Sequence, residues 1–248
     1  MTTAPKVSVI MPTYNQSRWL PAALASIESQ TFRDFRLIVV DDGSDDETGF
    51  VLAEAEVDAD RPLPFRRPQR RAWLALAENG GAAEAINKGA RFDGGDPFVA
   101  GVYRTWVSSD NEMTPDWLET LVPVLDAGAG VAYGAFDWSR PSEPGHRLFR
   151  AYAPDILIND LNCFVGPAFL IRADVWDEAG PHRGAISHDY DHWLRVEEVC
   201  WRRGLAIVGV DRVLCRYNAH KERATVVRAH EFDAPRWQAE ARQRRGIA

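Results

Sequence analysis

The sequence predicts an α/β protein built as one composite domain, with a mostly parallel central sheet flanked by helices and a smaller mixed sheet in the second half. Three observations lead there. Up to about residue 125, short apolar runs alternate with stretches of helical periodicity, the pattern of β-α-β units. Polar clusters rich in carboxylates follow three of those apolar runs, where open α/β sheets place their ligands. After Leu125 the character changes to short strands, loops and one long helix.

The first strand is "KVSVIM", ended by Pro12. Leu20, Leu24 and Ile27 then fall at i, i+4 and i+7, which gives a helix one apolar face. "FRLIVV" is the second strand and stops at "DDGSDDET", where Ser44 and Glu47 have the spacing of a capping box; a helix is predicted just after Ser44. "AWLALAEN" is the third strand, and "GGAAEAINKGA" a helix of small residues able to sit close to backbone or ligand. "RFDGGDPFVAG" reads as a loop before the fourth strand, "VYRTWV". Thr114 and Pro115 start the next helix, with Leu118, Leu121, Val122 and Leu125 as its buried stripe. Beyond it, "GVAYGAFDW" and "CFVGPAFLI" read as strands and "SRPSEPGHR" as a loop. A helix is expected from Tyr190 to Arg203 with Gly204 as its stop, followed by two short strands, "LAIVGV" and "VLCRYN". The domain is expected to span residues 1–225, in halves 1–111 and 112–225, with 226–248 as a polar helical tail.

Bulk properties narrow the function. A chain of 248 residues, 46% hydrophobic and 26% charged, is an ordinary globular protein with enough length for a well-buried core. The formal charge of −7 argues against a general nucleic-acid binder while leaving room for a local phosphate pocket. Cys163, Cys200 and Cys215 lack any CxxC spacing, so neither a disulfide framework nor a zinc site is expected, and a reducing cytoplasm is the natural setting. The apolar run near the N-terminus is far shorter than a secretory signal or a membrane span, and no other segment is long enough to cross a bilayer. The arginine-rich C-terminal stretch reads as a solvated helix, with peripheral association to a membrane surface as the competing reading.

The three polar clusters are "PTYNQ" after the first strand, "DDGS" after the second and "SSDN" after the fourth. Any one of them is an ordinary capped turn. Together on one sheet edge they suit a nucleoside read by Asp and Tyr and a diphosphate held through a metal.

"VSVIMPTYNQSRWLPAALASIESQTFRDFRLIVVDDGSDDET", "NGGAAEAINKGA", "TWVSSDNEMTPDWLETLV" and "HDYDHWLRV" resemble, in order, the motifs of family 2 inverting glycosyltransferases of Rossmann-like GT-A fold. The run "YNQS … TFRDF … SSDNEMTPDWL" is similar to the spore-coat-polysaccharide type. The resemblance covers roughly residues 6 to 225 and is most specific in the first half. It implies a nucleoside-diphosphate sugar donor, UDP-linked by default, a carbohydrate, lipid-linked or other hydroxyl acceptor, and Mn2+ or Mg2+ as cofactor. Pro12, Thr13, Tyr14 and Asn15 would lie along base and ribose, with Tyr14 stacking. Asp41 or Asp42 would accept a hydrogen bond from the base, Asp42 being preferred. Asn79 and Gly81 would shape the donor pocket, and Asn87 would serve there or as a buried hydrogen-bonding residue.

The family's acidic metal motif falls on Ser108, Ser109, Asp110 and Asn111. Asp110 matches its last strong ligand, whereas a serine stands where another aspartate is usual. A hard divalent ion in a nucleotide site takes one or two protein carboxylates and fills its remaining positions with phosphate and water, so one aspartate can suffice. His220 sits where relatives place a histidine near the metal, with Lys221 and Arg223 as further positive charge. Asp189 matches the family's catalytic base, with His188 where a glutamate is usual; Asp191 is the second candidate. Two other classes compete: a catalytically silent sugar-nucleotide or glycan-binding domain, motivated by the missing aspartate, and a nucleotidyltransferase, which would carry a glycine- and lysine/arginine-rich first loop that "PTYNQS" lacks. Trp138, Trp176, Trp193 and Trp201 are read as core residues by default.

Overall fold

The computed structural model describes residues 5–57, 71–92, 101–140, 143–154, 156–159, 165–184, 188–220 and 234–247. Cys163, Lys221 and Arg223 lie outside them.

Along the chain, β1 (Val7–Thr13), α1 (Leu20–Glu28), β2 (Phe35–Asp41), α2 (Thr48–Val57), β3 (Arg71–Ala75), α3 (Ala82–Arg91) and β4 (Tyr103–Trp106) form the first half. The second half holds β5 (Glu112–Met113), α4 (Trp117–Asp126), β6 (Val131–Arg140), β7 (Glu143–Leu148), α5 (Ile156–Asn159), β8 (Phe169–Arg172), α6 (Ala173–Ala179), α7 (His188–Arg203), β9 (Ile207–Asn218) and α8 (Ala234–Arg245). Among the described residues the nine strands share one sheet of order β3-β2-β1-β4-β8-β6-β9-β5, with β7 added to β6. The first four strands are parallel, and the mixed half joins them through the antiparallel pair β4–β8. Because β2 and β4 flank β1 on opposite sides, the chain reverses its winding direction at β1, and the carboxyl edge there is the crevice where doubly wound sheets bind ligands.

Strand alternation divides the core between the two faces of the sheet. Ile10, Ile38 and Val40 face α3 and α7, while Val7, Val9, Met11, Leu37 and Val39 face α1 and α4. Every residue of β2 is buried, as expected for a strand covered on both faces. Gly89 lets α3 lie close on the sheet: a Cβ there would sit 2.6 Å from Ile10 Cγ2.

Several elements differ from the sequence expectations. β1 continues through Pro12 to Thr13. The β1–β4 ladder ends at Ile10↔Trp106, so the donor that Pro12 lacks would have faced a side where β4 has already left. Helix α2 starts later than the Ser44 cap predicts: Asp46 Oδ1 accepts from Thr48 N at 2.9 Å, and the Ser44 hydroxyl is used by the neighbouring loop. α4 likewise begins two residues beyond Pro115, at Trp117, with the expected stripe buried. Within the stretch read as the loop "SRPSEPGHR", residues 139–140 instead end β6 and residues 143–147 belong to β7, which pairs antiparallel with it. "LAIVGV" and "VLCRYN" are one strand, β9, whose register against β6 shifts between Gly134 and Phe136. β5, α5 and α6 are short additions that periodicity did not reveal. The C-terminal segment separated in the sequence as a tail docks in the described part, Trp237 and Ala241 of α8 joining the core around α7.

Trp176 and Trp193 are core residues as expected. Trp201 is exposed, and half-buried Trp138 stacks on Tyr217 at 4.9 Å.

Candidate active site

Three loops meet at the carboxyl edge of the parallel strands. The first, after β1, turns at Asn15, the non-glycine residue with positive φ (52°) among those described. Asparagine tolerates that conformation because its side chain can bond locally, and here it bonds across to the next loop. Asn15 Nδ2 donates to Asp45 Oδ1 (2.7 Å), Asp45 N donates to Asn15 Oδ1 (3.0 Å), and Asn15 N donates to Ser44 Oγ (2.9 Å). Ser17 N and Gln16 N add bonds to Asp46 and Thr48. Asn15 is thus spent on fixing loop geometry. Tyr14, one residue earlier, stays 44% exposed, with its ring available to a ligand. Thr13 is buried, and its Oγ1 has no hydrogen-bond partner among the described residues.

The second loop begins with two buried aspartates of different standing. Asp42 accepts from Gly80 N on Oδ1 (2.9 Å) and from Gly81 N on Oδ2 (2.7 Å), closing the loop after β3 onto the loop after β2. Burial raises its pKa, while those two amides partly offset the cost of its charge. Asp41 is engaged on one oxygen, by Ser44 N at 3.1 Å. Gly43 makes the close approach possible: at φ +75° it has no Cβ, and one placed there would lie 2.9 Å from the Glu78 carbonyl carbon. Asn79 and Gly81 therefore stand beside Asp42, in the loop that leads into α3.

The third loop carries Asp110. β4 ends at Trp106, and Ser109, Asp110 and Asn111 follow in a turn closed by Asn111 N donating to Ser108 O. The end of β9 comes back to this turn. Asn218 Nδ2 donates to Asp110 O (2.7 Å), Asn218 N to Asn111 Oδ1 (3.2 Å), and His220 Nε2 lies 3.0 Å from Asp110 Oδ2. The His220 ring stacks on Trp19 at 4.8 Å, with the Arg18 guanidinium 4.7 Å over the other ring of that pair, Trp19. Two expected metal-site residues separated by 110 positions are thus in direct contact. Trp19 was not singled out by the sequence; its place at the N-cap of α1 carries no periodic signal.

Among the described residues no group of three or more His, Cys, Asp and Glu side chains is arranged to hold an ion. The Asp110–His220 pair nonetheless fits a divalent ion that takes its other ligands from a nucleotide, and His220 Nδ1 is buried without a partner among the described residues.

Asp189 and Asp191, on the first turn of α7, differ sharply. Asp191 is buried and gripped by two arginines: Arg183 Nη2 at 2.5 Å and Nε at 3.1 Å, Arg195 Nη2 at 2.7 Å and Nε at 3.1 Å. Arg195 also donates to Ala179 O and Pro181 O, tying the turn after α6 to α7. Asp189 is half-buried; its Oδ1 accepts from Tyr190 N (2.8 Å), and Oδ2 has no partner among the described residues. Trp106 connects this helix to the strand edge. Its ring meets Trp193 of α7 at 5.7 Å and His182, in the turn before α7, at 4.6 Å.

A parallel half-sheet with polar loops at its carboxyl edge, joined to a mixed half that returns a histidine to Asp110, is the fold shared with glycosyltransferases of the GT-A class. More narrowly, the family model "Glycosyl transferase family 2" matches residues 8–177, and the chain belongs to that family. An uncharacterized glycosyltransferase of Rickettsia felis is 29% identical over 79% of this chain and 32% of its own length. The GalNAc(5)-diNAcBac-PP-undecaprenol beta-1,3-glucosyltransferase of Campylobacter jejuni is 34% identical over 52% of this chain and 38% of its own. The chain spans about a third of the length of the Rickettsia felis relative. Among solved structures, S. aureus TarS 1-349 in complex with UDP superposes with a TM-score of 0.69 at 19% identity, covering 95% of this chain and 65% of that one. Mannosyltransferase PcManGT from Pyrobaculum calidifontis, in complex with GDP-Man and Mn2+, gives 0.63 at 20% identity, covering 97% and 70%. At such identities the likeness establishes the fold. Among the described residues no helix is long and apolar enough to cross a membrane.

Proposed function

We propose that the chain transfers a sugar from a nucleoside-diphosphate sugar, UDP-linked in the first instance, to a hydroxyl of a glycan, lipid-linked or small-molecule acceptor, with inversion. The observation that carries this reading is the contact of Asp110 with His220 at the carboxyl edge of β4. Asp110 and His220 would hold Mn2+ or Mg2+, which supplies Lewis-acid neutralisation of the diphosphate charge. Tyr14 stacks on the base. Of the two aspartates after β2, we assign the base contact to Asp41, because both Asp42 oxygens already hold Gly80 and Gly81. Pro12, Thr13 and Ser109 line the nucleotide, while Asn15, Asn79 and Gly81 set the loops that form its pocket.

Inversion follows from a single displacement. The acceptor oxygen forms a bond to the anomeric carbon as the bond from that carbon to the diphosphate oxygen breaks, and the acceptor proton passes to the base. Asp189 is that base and Asp191 is not: an oxygen of Asp189 is without a protein partner among the described residues, while both oxygens of Asp191 are held by guanidinium groups.

Incubation with a panel of UDP- and GDP-sugars, acceptors and Mn2+ tests the reading. Asp189→Asn should lower kcat by about a hundredfold or more, the range of general-base contributions, with nucleotide affinity retained. Turnover unchanged in that variant would move the base elsewhere. Nucleotide binding with no turnover of any donor by the wild type would favour a silent sugar-nucleotide-binding domain.

A further inference from the structure

The helix that carries Asp189 is tied to the nucleotide-edge half by a chain of polar contacts. Asp42 holds Gly81, and α3 begins at the next residue. One and a half turns along α3, the Asn87 amide makes a reciprocal pair with the backbone of His182: Asn87 Nδ2 donates to His182 O (2.9 Å), and His182 N donates to Asn87 Oδ1 (2.8 Å). His182 lies between α6 and α7, where the described residues 180–184 form neither helix nor strand. Its ring is buried, stacked on His192 at 4.0 Å and set edge-on to Trp106 at 4.6 Å. Its Nδ1 lies 3.1 Å from Nδ1 of His188, the first residue of α7 and the one before Asp189.

Two Nδ1 atoms bond to each other only when one carries the proton and the other offers its lone pair. Two neutral imidazoles meet that condition and two imidazolium rings do not. The contact is therefore specific, and an apolar ring of similar size at position 182 would fill the space without reproducing it.

We propose that Asn87, His182 and His188 form a strut that fixes Asp189 relative to the nucleotide edge, making Asn87 and His182 positioning residues for the transfer reaction. The proposal rests on the reading of Asp189 as the base. His188, standing where the family usually has a glutamate, is the end of the strut adjoining the base. Misplacement of a catalytic group by about 1 Å costs on the order of a hundredfold in rate, so a strut that touches no substrate can still control kcat.

Three variants test this: Asn87→Ala, His182→Phe, which keeps a packed ring, and His182→Asn, whose amide can take the place of Nδ1. Asn87→Ala and His182→Phe should lower kcat by about tenfold to a hundredfold, with donor KM and nucleotide Kd within about twofold, the signature of a loss felt in the transition state. His182→Asn should recover most of kcat. Wild-type kcat in His182→Phe, or His182→Asn as slow as His182→Phe, would overturn the strut. Retained nucleotide Kd shows that the variants are folded. A wild-type protein whose turnover survives Asp189→Asn overturns the base assignment and the strut together; unchanged kcat in His182→Phe of an enzyme that needs Asp189 overturns the strut alone.

Discussion

Asp189 and Asp191 are two residues apart on the same helical turn, yet their surroundings assign them different work. Asp191 is almost fully buried between Arg183 and Arg195, and a carboxylate so held is a structural joint. Asp191→Asn should leave two guanidiniums short of their counter-charge and cost about 3 kcal/mol of unfolding free energy by urea titration; Asp189→Asn, half-buried with one backbone bond, should cost well under half of that. Equal losses would contradict the distinction. The sequence offered part of this. Arg195 stands at i+4 from Asp191, a spacing that pairs side chains on a helix. Arg183 precedes the helix, and nothing local shows that the chain folds back to bring it there. The same limit applies to Asp41 and Asp42: adjacency in "DDGS" is readable, but which carboxylate closes on Gly80 and Gly81 depends on a loop 38 residues further on.

At the scale of elements, α7 and the turn before it concentrate histidines in the core. His182, His188 and His192 are packed together beside Trp106 and Trp176, and all three have pKa values lowered from the ordinary histidine value. Burial is the largest cause for each, reinforced at His182 and His192 by the Arg195 charge and neighbouring histidines, and opposed at His188 by Asp189 and Asp191. Lowered folded-state values mean that the unfolded chain takes up protons first as pH falls. Stability is therefore full above about pH 6.5 and is lost below it, with each histidine contributing a slope of up to about 1.4 kcal/mol per pH unit. Asp174, held down to about 2 by the Arg172 side chain, titrates in a separate and lower window. Urea midpoints at pH 7.5, 6.5 and 5.5 should fall between the last two values, and His192→Phe should flatten the slope; a midpoint constant down to pH 5.5 would contradict it. The helix itself was legible, since its apolar spacing and Gly204 stop stand in the sequence, and Gly204 has the expected positive φ of 64°. The packing of three histidines was not, because two come from the helix and one from the segment that precedes it.

At the scale of the molecule, the parallel half was the readable part. β1 and β2 are buried on both faces and show as apolar runs closed by polar clusters, so the fold class followed from the pattern. The mixed half hid its order for physical reasons. Among the described residues β7 pairs with β6 alone and is an edge strand, where proline and glycine are tolerated, so "SRPSEPGHR" carried a loop signature. β9 bends through register shifts around Gly134 and Ala135 of β6 and so read as two pieces. That strand matters most to the site, since its end returns Asn218 and His220 to Asp110. The fold thus assembles the proposed nucleotide edge from the first half and completes it with a residue from the far end of the second. Calorimetric titration of UDP and GDP, with and without Mn2+, into the wild type and Asp110→Ala tests this most directly. The wild type should bind a nucleoside diphosphate in a Mn2+-dependent manner and gain about 2.7 kcal/mol of stability at a hundred times its Kd, and Asp110→Ala should lose the metal-dependent part; binding that is independent of Mn2+, or equally strong in Asp110→Ala, would contradict it.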